Sequence, residues 1–286
     1  MHSVYKKLLV AALGSVGLLA ACTNNPLNSS SESGNAQGAE SQWMKLISNN
    51  AIDKELDQVS EKSASSLLVV DHPVGNIEVR SSEDGELQVR TYIQALNNRT
   101  GESTLEELAQ NAEVSLTTKG KTTTVEIHPK DKAGTDLWSW ADKNIGNSHF
   151  IVNYVIEAPA NIVEYEISTE VGNISLAGLT GSYKLANNTG SIDLKNIQAQ
   201  GKSSIKSDAG TIRLDLNQLH DGSQLKASTE LGTITALLPS NLAYTLKAET
   251  DLGKVSGASK GKSDINGGGP LLSLSTSVGT IKVENK

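Results

Sequence analysis

The sequence predicts an all-β fold, a β-solenoid of stacked two-armed coils similar to a single-stranded β-helix. A short phrase, in which a glycine is followed two residues later by Ile or Val, recurs six times, with its glycines at positions 172, 190, 210, 232, 253 and 279. Repeats of about 20 residues are typical of solenoids, in which each repeat supplies one layer of a shared core. Aromatic residues make up only 3% of the chain. The core therefore has to be aliphatic, which suits narrow coils.

Each repeat is predicted to contain two strands that meet at the glycine. Alternate residues of a strand face the same side, and apolar residues stand two and four positions after the glycine, as at Ile174 and Leu176. Another apolar residue stands five positions before it, as at Ile167. A second turn, often with a glycine such as Gly201, closes the coil, because glycine adopts positive φ without steric strain. The segment 161–286 is therefore the predicted repeat solenoid.

The segment 66–160 is predicted to form an N-terminal β part that carries one short helix and a longer loop. Period-two alternation begins at Ser66, and the stretch Val74–Ile77 already resembles the repeated phrase. A helix is expected near Thr104–Ala112, with Ser103 or Thr104 as its cap. The other expected elements are strands at Val114–Thr118, Thr122–His128 and Phe150–Glu157 and a loop at 130–148.

The first 65 residues are predicted to direct and tether the protein. Lys6 and Lys7 precede an apolar run, Leu8–Ala21, of the length of a signal peptide. The run ends as Leu19-Ala20-Ala21-Cys22, which resembles the lipobox of bacterial lipoproteins and implies cleavage before Cys22 and its modification with acyl chains such as palmitate. An ordinary secretory signal with a chance cysteine is the alternative. The predicted segments are a lipoprotein signal peptide at 1–21, a flexible tether at 22–42 and a helix or linker at 43–65.

The charge of the chain limits its partners. The formal net charge is −7 at pH 7, and an acidic surface argues against binding to nucleic acid and against electrostatic attachment to anionic lipid. The expected membrane contact is the lipid on Cys22, because acyl chains on one residue hold a soluble domain at a bilayer. We therefore expect the protein at the outer face of the cell membrane, or at the outer membrane of a cell with two membranes.

Several segments of the chain resemble a known bacterial family. They are Leu68–Asp71, Gly75–Val79, Tyr154–Pro159, Leu238–Ser240 and Tyr244–Ala248, together with the successive glycine phrases. In their order and spacing, the chain is similar to the putative-adhesin or toast-rack domains of unknown function, which consist of β-strand repeats. The resemblance covers the chain from Ser66 to Val283 and implies a cell-envelope location and a β-solenoid-like fold. It implies no catalytic residue, and some members of the family accompany envelope-stress membrane proteins.

The sequence offers no recognisable catalytic or metal-binding pattern. Besides His2 in the predicted signal peptide, the histidines are His72, His128, His149 and His220. No two of them have the spacing of a metal-binding helix. Neither a Gly-x-Ser-x-Gly elbow nor a phosphate-binding glycine loop is present. The favoured interpretation is therefore a protein without enzyme activity, cofactor or bound metal.

Stacking of the repeats in register would align an acidic row along one edge of the solenoid. The row would contain Glu170, Asn188, Asp208, Glu230 and Asp251. Neighbours in it would be about 4.8 Å apart. The favoured interpretation is turn chemistry, in which these residues and the adjacent Thr, Ser or Asn bond local backbone N–H groups. A row of calcium sites is the alternative.

The predicted 130–148 loop carries Trp138 and Trp140, two of the three tryptophans. One hypothesis makes them an aromatic platform that contacts a glycan or a partner protein. The favoured interpretation is that they fold back over an open end of the core, because solenoid ends need covering.

These features predict a lipid-anchored cell-envelope protein whose adhesin-like solenoid is a non-catalytic binding or scaffold module. Its expected partner is an envelope glycan or a membrane protein. Two alternatives stay open, namely an envelope-stress accessory that contacts a membrane partner and a polysaccharide-active enzyme on a β-helix. The enzyme would need a groove that gathers two acids with an Arg or Lys and that has aromatic subsites, which the low aromatic content opposes.

Overall fold

The computed structural model of the protein describes residues 53–96 and 100–286. The predicted signal peptide, Cys22, the tether and the first part of the 43–65 segment lie outside the described residues. The described residues belong to one compact unit. No helix in the described ranges is long and apolar enough to span a membrane.

Strands dominate the described residues. The strands up to residue 158 are β1 (Asp53–Glu55), β2 (Val59–Glu61), β3 (Leu67–Val74), β4 (Ile77–Ser81), β5 (Leu87–Ala95), β6 (Ala112–Lys119), β7 (Thr122–Pro129) and β8 (Phe150–Ala158). Those that follow are β9 (Glu164–Val171), β10 (Ile174–Ala177), β11 (Thr180–Thr189), β12 (Ile192–Ala199), β13 (Lys202–Leu219), β14 (Gln224–Leu238), β15 (Tyr244–Ser256), β16 (Gly261–Ile265) and β17 (Leu271–Asn285). The helices of the described ranges are α1 (Glu102–Asn111) and α2 (Leu137–Asn144).

The strands stack in two rows, one for each arm of the coils. The first arm contains, in stacking order, β7, β3, β9, β11 and the first halves of β13, β14, β17 and β15, each parallel to its neighbours. The second arm contains β8, β4, β10, β12 and the second halves of the same four long strands, again parallel. Each coil passes from the first arm to the second at the glycine of its phrase. The predicted fold class, an all-β solenoid of two-armed coils, is confirmed.

The last layers do not stack in chain order. The C-terminal strand β17 lies between β14 and β15, because Gly279 is in register with Gly232 on one side and with Gly253 on the other. The order of the layers therefore departs from the order of the repeats in the chain at this end of the solenoid. The physical reason is the antiparallel hairpin of β15 and β16, which occupies the outer position and leaves the returning chain to enter as β17 beside β14.

The two ends of the stack are covered differently. At the first end, the hairpin of β6 and β7 extends the first arm, and β5 with β1 and β2 extends the second arm, all through antiparallel pairs. At the other end, β16 covers the first arm by pairing with Tyr244–Ala248 of β15. In the described part of the chain, the second half of β15 has no strand on its outer side.

The core is aliphatic along the stack, as the composition predicts. Inward positions of successive layers align, so that Ile174, Ile192 and Ile212 form one buried row. Tyr165 and Tyr183 also lie in the interior, with stacked rings whose centroids are 5.5 Å apart. Burial raises the pKa of both phenols.

A helix was one of the two structures predicted for the 43–65 segment. In its described part, residues 53–65, this prediction is wrong. Asp53–Glu55 and Val59–Glu61 are short strands that pair antiparallel with β5. Leu56 between them is buried against the core. Pairing along β5 therefore outweighs the apolar spacing that favours a helix.

The predicted 130–148 loop contains a helix, α2, and the sequence carries a start signal for it. Asp136 is its N-cap and accepts a hydrogen bond from the backbone N–H of Ser139 at 2.7 Å. The helix near Leu105 is confirmed as α1, but it begins at Glu102 with Gly101 as its N-cap and without a side-chain cap. The predicted cap at Ser103 or Thr104 is therefore wrong.

Candidate functional site

The glycines of the phrases form a column that fixes the spacing of the layers at each bend. A Cβ added to Gly190 would lie 1.9 Å from the carbonyl oxygen of Gly172, and a Cβ added to Gly232 would lie 1.8 Å from that of Gly210. The φ angle of Gly190 is +134°, a conformation that residues with a side chain rarely adopt. Glycine is required here for both reasons, and the column sets the positions of all neighbouring side chains.

A ladder of side-chain amides runs beside the first glycines of the column. Asn76 donates from Nδ2 to Oδ1 of Asn153 (2.9 Å), and Asn173 donates from Nδ2 to Oδ1 of Asn76 (2.9 Å). The hydroxyl of Ser191 donates to Oδ1 of Asn173 at 2.7 Å and ends the ladder. Sequence reasoning missed this feature, although Asn76 and Asn173 each follow the glycine of a phrase directly.

A row of small polar side chains and one histidine lies inside the bends, three residues before each glycine. Its buried members are His72, Thr169, Asn187, Ser207, Thr229, Thr276 and Thr250. Asn187 donates from Nδ2 to the carbonyl oxygen of Gly172 at 3.3 Å. Within the described residues, no protein group bonds the hydroxyl oxygens of Ser207, Thr229, Thr250 and Thr276. The predicted backbone hydrogen bonds are therefore wrong for these four residues, whose side chains fill the interior of the bend.

The acidic row has a member that chain order does not predict. In stacking order its members are Glu170, Asn188, Asp208, Glu230, Ser277 and Asp251. Ser277 of β17 separates Glu230 from Asp251, so that only Asp208 and Glu230 are acidic neighbours. In the described ranges, no group of three or more His, Cys, Asp or Glu side chains has the geometry to hold a metal ion.

A shallow groove lies on the first arm beside the acidic row. Serines and threonines of β13, β14 and β17 line it, together with the charged residues Lys206, Asp208, Glu230, Glu249 and Asp251. The groove thus gathers acids with a lysine, as the polysaccharide-active alternative requires, but no aromatic residue lines it. Its acidic residues are all exposed, whereas catalytic carboxylate pairs usually stand in a desolvated cleft. Polar and charged side chains thus line the groove.

Trp138 lies in the core, which corrects the platform hypothesis for this residue. Its indole stacks on the ring of Phe150, with centroids 5.2 Å apart and planes at 9°. Its Nε1–H donates to the carbonyl oxygen of Phe150 at 3.1 Å, and only 4% of the residue is exposed. Trp140, on the same helix, is half-buried against the core. Trp138 is therefore unavailable to a ligand, and a contact with a glycan or a partner stays a prediction for Trp140.

His72 occupies the row inside the bends at the first glycine phrase, beside Trp138. Its ring contacts Trp138 and Tyr154 edge to face, with centroids 5.5 and 4.9 Å apart. Its Nε2 donates to the carbonyl oxygen of Val152 at 2.8 Å. Burial lowers the pKa of His72 from 6.5 to about 4, and the hydrogen bond to Val152 opposes part of this shift. His72 is therefore a neutral core residue at physiological pH.

The other described histidines do not converge on a site. His128 is buried and is held by Pro129 O (2.9 Å) and Ser115 Oγ (3.1 Å). His149 is exposed and His220 is half-buried on a different layer.

A row of exposed apolar side chains, which we call the apolar row, lies directly before the last glycines of the column. It consists of Leu231, Val278 and Leu252, which are 58%, 42% and 69% exposed. They belong to the adjacent strands β14, β17 and β15 and are in register. Sequence reasoning missed this row, although apolar residues at a predicted turn were its signal.

The predicted lipidation site, Cys22, lies outside the described residues.

Residues 156–283 match the model of a protein family described as Toastrack DUF4097. Among solved structures, the chain is similar to a putative cell adhesion protein from Clostridium sporogenes, with 15% identity over 82% of this chain and 100% of that chain, at a TM-score of 0.46. It is also similar to a putative adhesin from Bacteroides fragilis, with 17% identity over 83% of this chain and 98% of that chain, at a TM-score of 0.37. No curated protein matches the chain. Likenesses this distant carry no conclusion about function.

The family match begins within β8 and ends within β17. It therefore includes the repeated layers from β9 onward, and the layer of β3 and β4 extends the same stack ahead of it. Residues 156–283 thus match the Toastrack DUF4097 family model, and this part of the chain has a β-solenoid-like fold.

Proposed function

We propose that this protein is a lipid-anchored cell-envelope protein and that its solenoid is a non-catalytic binding or scaffold module. The observation that carries the anchor is the stretch Leu19-Ala20-Ala21-Cys22, which ends an apolar run and contains the only cysteine of the chain. Lipid on Cys22 would hold the domain at the outer face of the cell membrane, or at the outer membrane of a cell with two membranes.

The bends of the solenoid support a role in binding, because they hold side chains in fixed rows. The glycine column and the amide ladder leave little freedom at each bend. Rows on neighbouring strands are about 4.8 Å apart. Such a surface is pre-organised, which lowers the entropy cost of binding an extended partner.

The groove beside the acidic row is the proposed contact site on the first arm. Its carboxylates and hydroxyls would bind the hydroxyl groups of an envelope glycan or the basic side chains of a membrane protein. Its lack of aromatic lining and the exposure of its acidic residues support binding without catalysis.

The test is recovery of envelope components with the lipidated protein after chemical cross-linking in its own cells. A groove variant, Glu230→Ser with Asp251→Ser, is compared with a control variant, Glu113→Ser with Glu126→Ser, in which two exposed acids on β6 and β7 are changed instead. We expect a specific glycan or membrane protein with the wild type and the control variant, and its loss with the groove variant.

Two results would contradict the proposal. Equal recovery with the groove variant and the control variant would remove the groove as the contact site. Release of new reducing ends from envelope polysaccharide by the wild-type protein would favour the enzyme alternative instead.

A further inference from the structure

The last layer of the solenoid has a free strand edge on its second arm. β15 pairs with β17 along its length, from Thr245 opposite Leu271 to Ser256 opposite Lys282. On its outer side, β16 pairs only with Tyr244–Ala248. The ammonium of Lys260 donates to the carbonyl oxygen of Thr250 at 2.7 Å, which closes the edge at that residue. In the described part of the chain, the edge from Asp251 to Ser256 therefore has no strand beside it.

The backbone groups at this edge are oriented for a further strand. In earlier layers the glycine of each phrase donates its N–H to the next layer: Gly75 to Val171 O (2.9 Å), and Gly172 to Thr189 O (3.0 Å). The residue two positions later does the same, as Ile174 donates to Ser191 O at 2.9 Å. β15 keeps this register, so the N–H groups of Gly253 and Val255 point away from β17 to the free edge. An unpaired row of this kind is a template for another strand.

The edge carries one exposed apolar side chain, Leu252, close to the exposed charges of Asp251 and Lys254. Leu252, with 69% of its surface exposed, is the most exposed large hydrophobic residue of the described ranges, and it stands at the end of the apolar row. Contiguous exposed apolar side chains beside an open strand mark an interaction surface. Proteins usually cover such an edge or place charge on it. Here Asp251 and Lys254 are charged, but a strand covers only the first arm.

We propose that a second copy of this chain covers the edge, with the two β15 strands antiparallel around a two-fold axis at Gly253. In an antiparallel pair, residues whose N–H and C=O groups point to the partner lie opposite one another. Gly253 opposite Gly253 meets this condition. The interface is closed by symmetry, so two copies satisfy each other's edges and further growth stops.

The charges at the edge select this register over its neighbour. With Gly253 on the axis, Lys254 of one copy lies opposite Leu252 of the other, where its alkyl stem covers the leucine and its ammonium is near Asp251. The next allowed register places Gly253 opposite Val255 and brings the two Lys254 side chains together, which is unfavourable because like charges repel across a strand pair. Asp251 and Lys254 are thus complementary between copies.

The test is sedimentation velocity of the full chain with Cys22→Ser, which removes the predicted lipid, at protein concentrations from the low micromolar to the millimolar range. The proposed interface consists of a short strand pair and the apolar row, so the surface area that it buries is below the roughly 800 Å² per partner of a standard interface. Because so small an interface binds weakly, we expect the fraction of dimer to rise with protein concentration. Leu252→Lys is expected to raise the dimer dissociation constant at least tenfold. Leu96→Lys, a control at another exposed leucine (44% exposed), is expected to leave it unchanged.

A second variant tests the strand pairing itself. Val255→Pro removes an N–H group that has no partner within the described part of one copy, and proline is tolerated at strand edges. It is expected to weaken dimerisation at least tenfold while the unfolding midpoint of the dilute monomer stays close to wild type. A monomer at every concentration, assemblies larger than dimers, or equal effects of Leu252→Lys and Leu96→Lys would each overturn the proposal.

Discussion

Replacement of Gly190 by alanine tests whether the glycine column sets the layer spacing. The new Cβ would lie 1.9 Å from Gly172 O, more than an ångström inside a normal contact, and the backbone would keep a φ of +134°. Positive φ costs a residue with a side chain about 1–2 kcal/mol. Forcing an extra carbon into a packed site costs about 1–3 kcal/mol. We therefore expect Gly190→Ala to lower the free energy of unfolding by about 2–5 kcal/mol.

The matched control is Gly222→Ala, in a turn where φ is +73° and nothing lies within 4 Å of the added Cβ. It should lower the free energy of unfolding by about 1–2 kcal/mol, since only the backbone strain remains. Both variants are measured by urea unfolding followed by circular dichroism, with the slope of the transition checked for two-state behaviour. A loss for Gly190→Ala no larger than that for Gly222→Ala would refute the collision with the preceding layer.

Three further predictions concern the polar rows of the bends. Because the pKa of His72 is about 4 in the folded protein against 6.5 when unfolded, protonation favours the unfolded chain, and stability should fall by roughly 3 kcal/mol as the pH drops from about 6.5 to 4. Urea midpoints across this range should lose that slope in His72→Thr. Thr229→Val should raise the free energy of unfolding by about 1 kcal/mol, because it removes a buried hydroxyl without a partner; a decrease would mean that the hydroxyl is bonded. Asn76→Ala should cost about 2–3 kcal/mol, since it removes the acceptor of both the backbone N–H and the Nδ2–H of Asn173. Ser191→Ala at the ladder's end should cost less, and equal losses would argue against a ladder.

The layers of the solenoid are predictable from the sequence because glycine has a strict physical role in them. Each phrase places a residue without a side chain where the preceding layer's carbonyl oxygen leaves no room, as at Gly210 and Gly232. The apolar residues two and four positions later are buried at the other phrases, as at Ile234 and Ala236, and only the phrase of Gly253 departs from this pattern. Turn requirement and strand alternation thus agree at nearly every repeat, which is why the fold class follows from them.

The stacking order could not be predicted from the phrases, because any phrase can pair with any other. The phrase of β15 and that of β17 have the same spacing of glycine and apolar residues, so both fit beside β14. The order depends on the β15–β16 hairpin, a tertiary feature, and on the turn at Asn266–Gly269 after β16, which sends the chain back as β17. The acidic row and its groove depend on that order and were therefore only partly predictable.

Short elements were the other source of error. α2 is eight residues long, and helices of this length depend on tertiary packing rather than on propensity. Its buried face, with Leu137, Trp138 and Ala141, packs at the first end of the stack. The two tryptophans of this segment stood out because tryptophan is rare in the chain. The packing of α2 on the core accounts for the presence of Trp138.

The measurement that tests the proposed function most directly is the mass of the N-terminal peptide of the protein isolated from membranes. We expect this peptide to begin at Cys22 and to carry acyl chains. A mature N-terminus at another residue, or a peptide that begins at Cys22 without acyl chains, would contradict the lipid anchor.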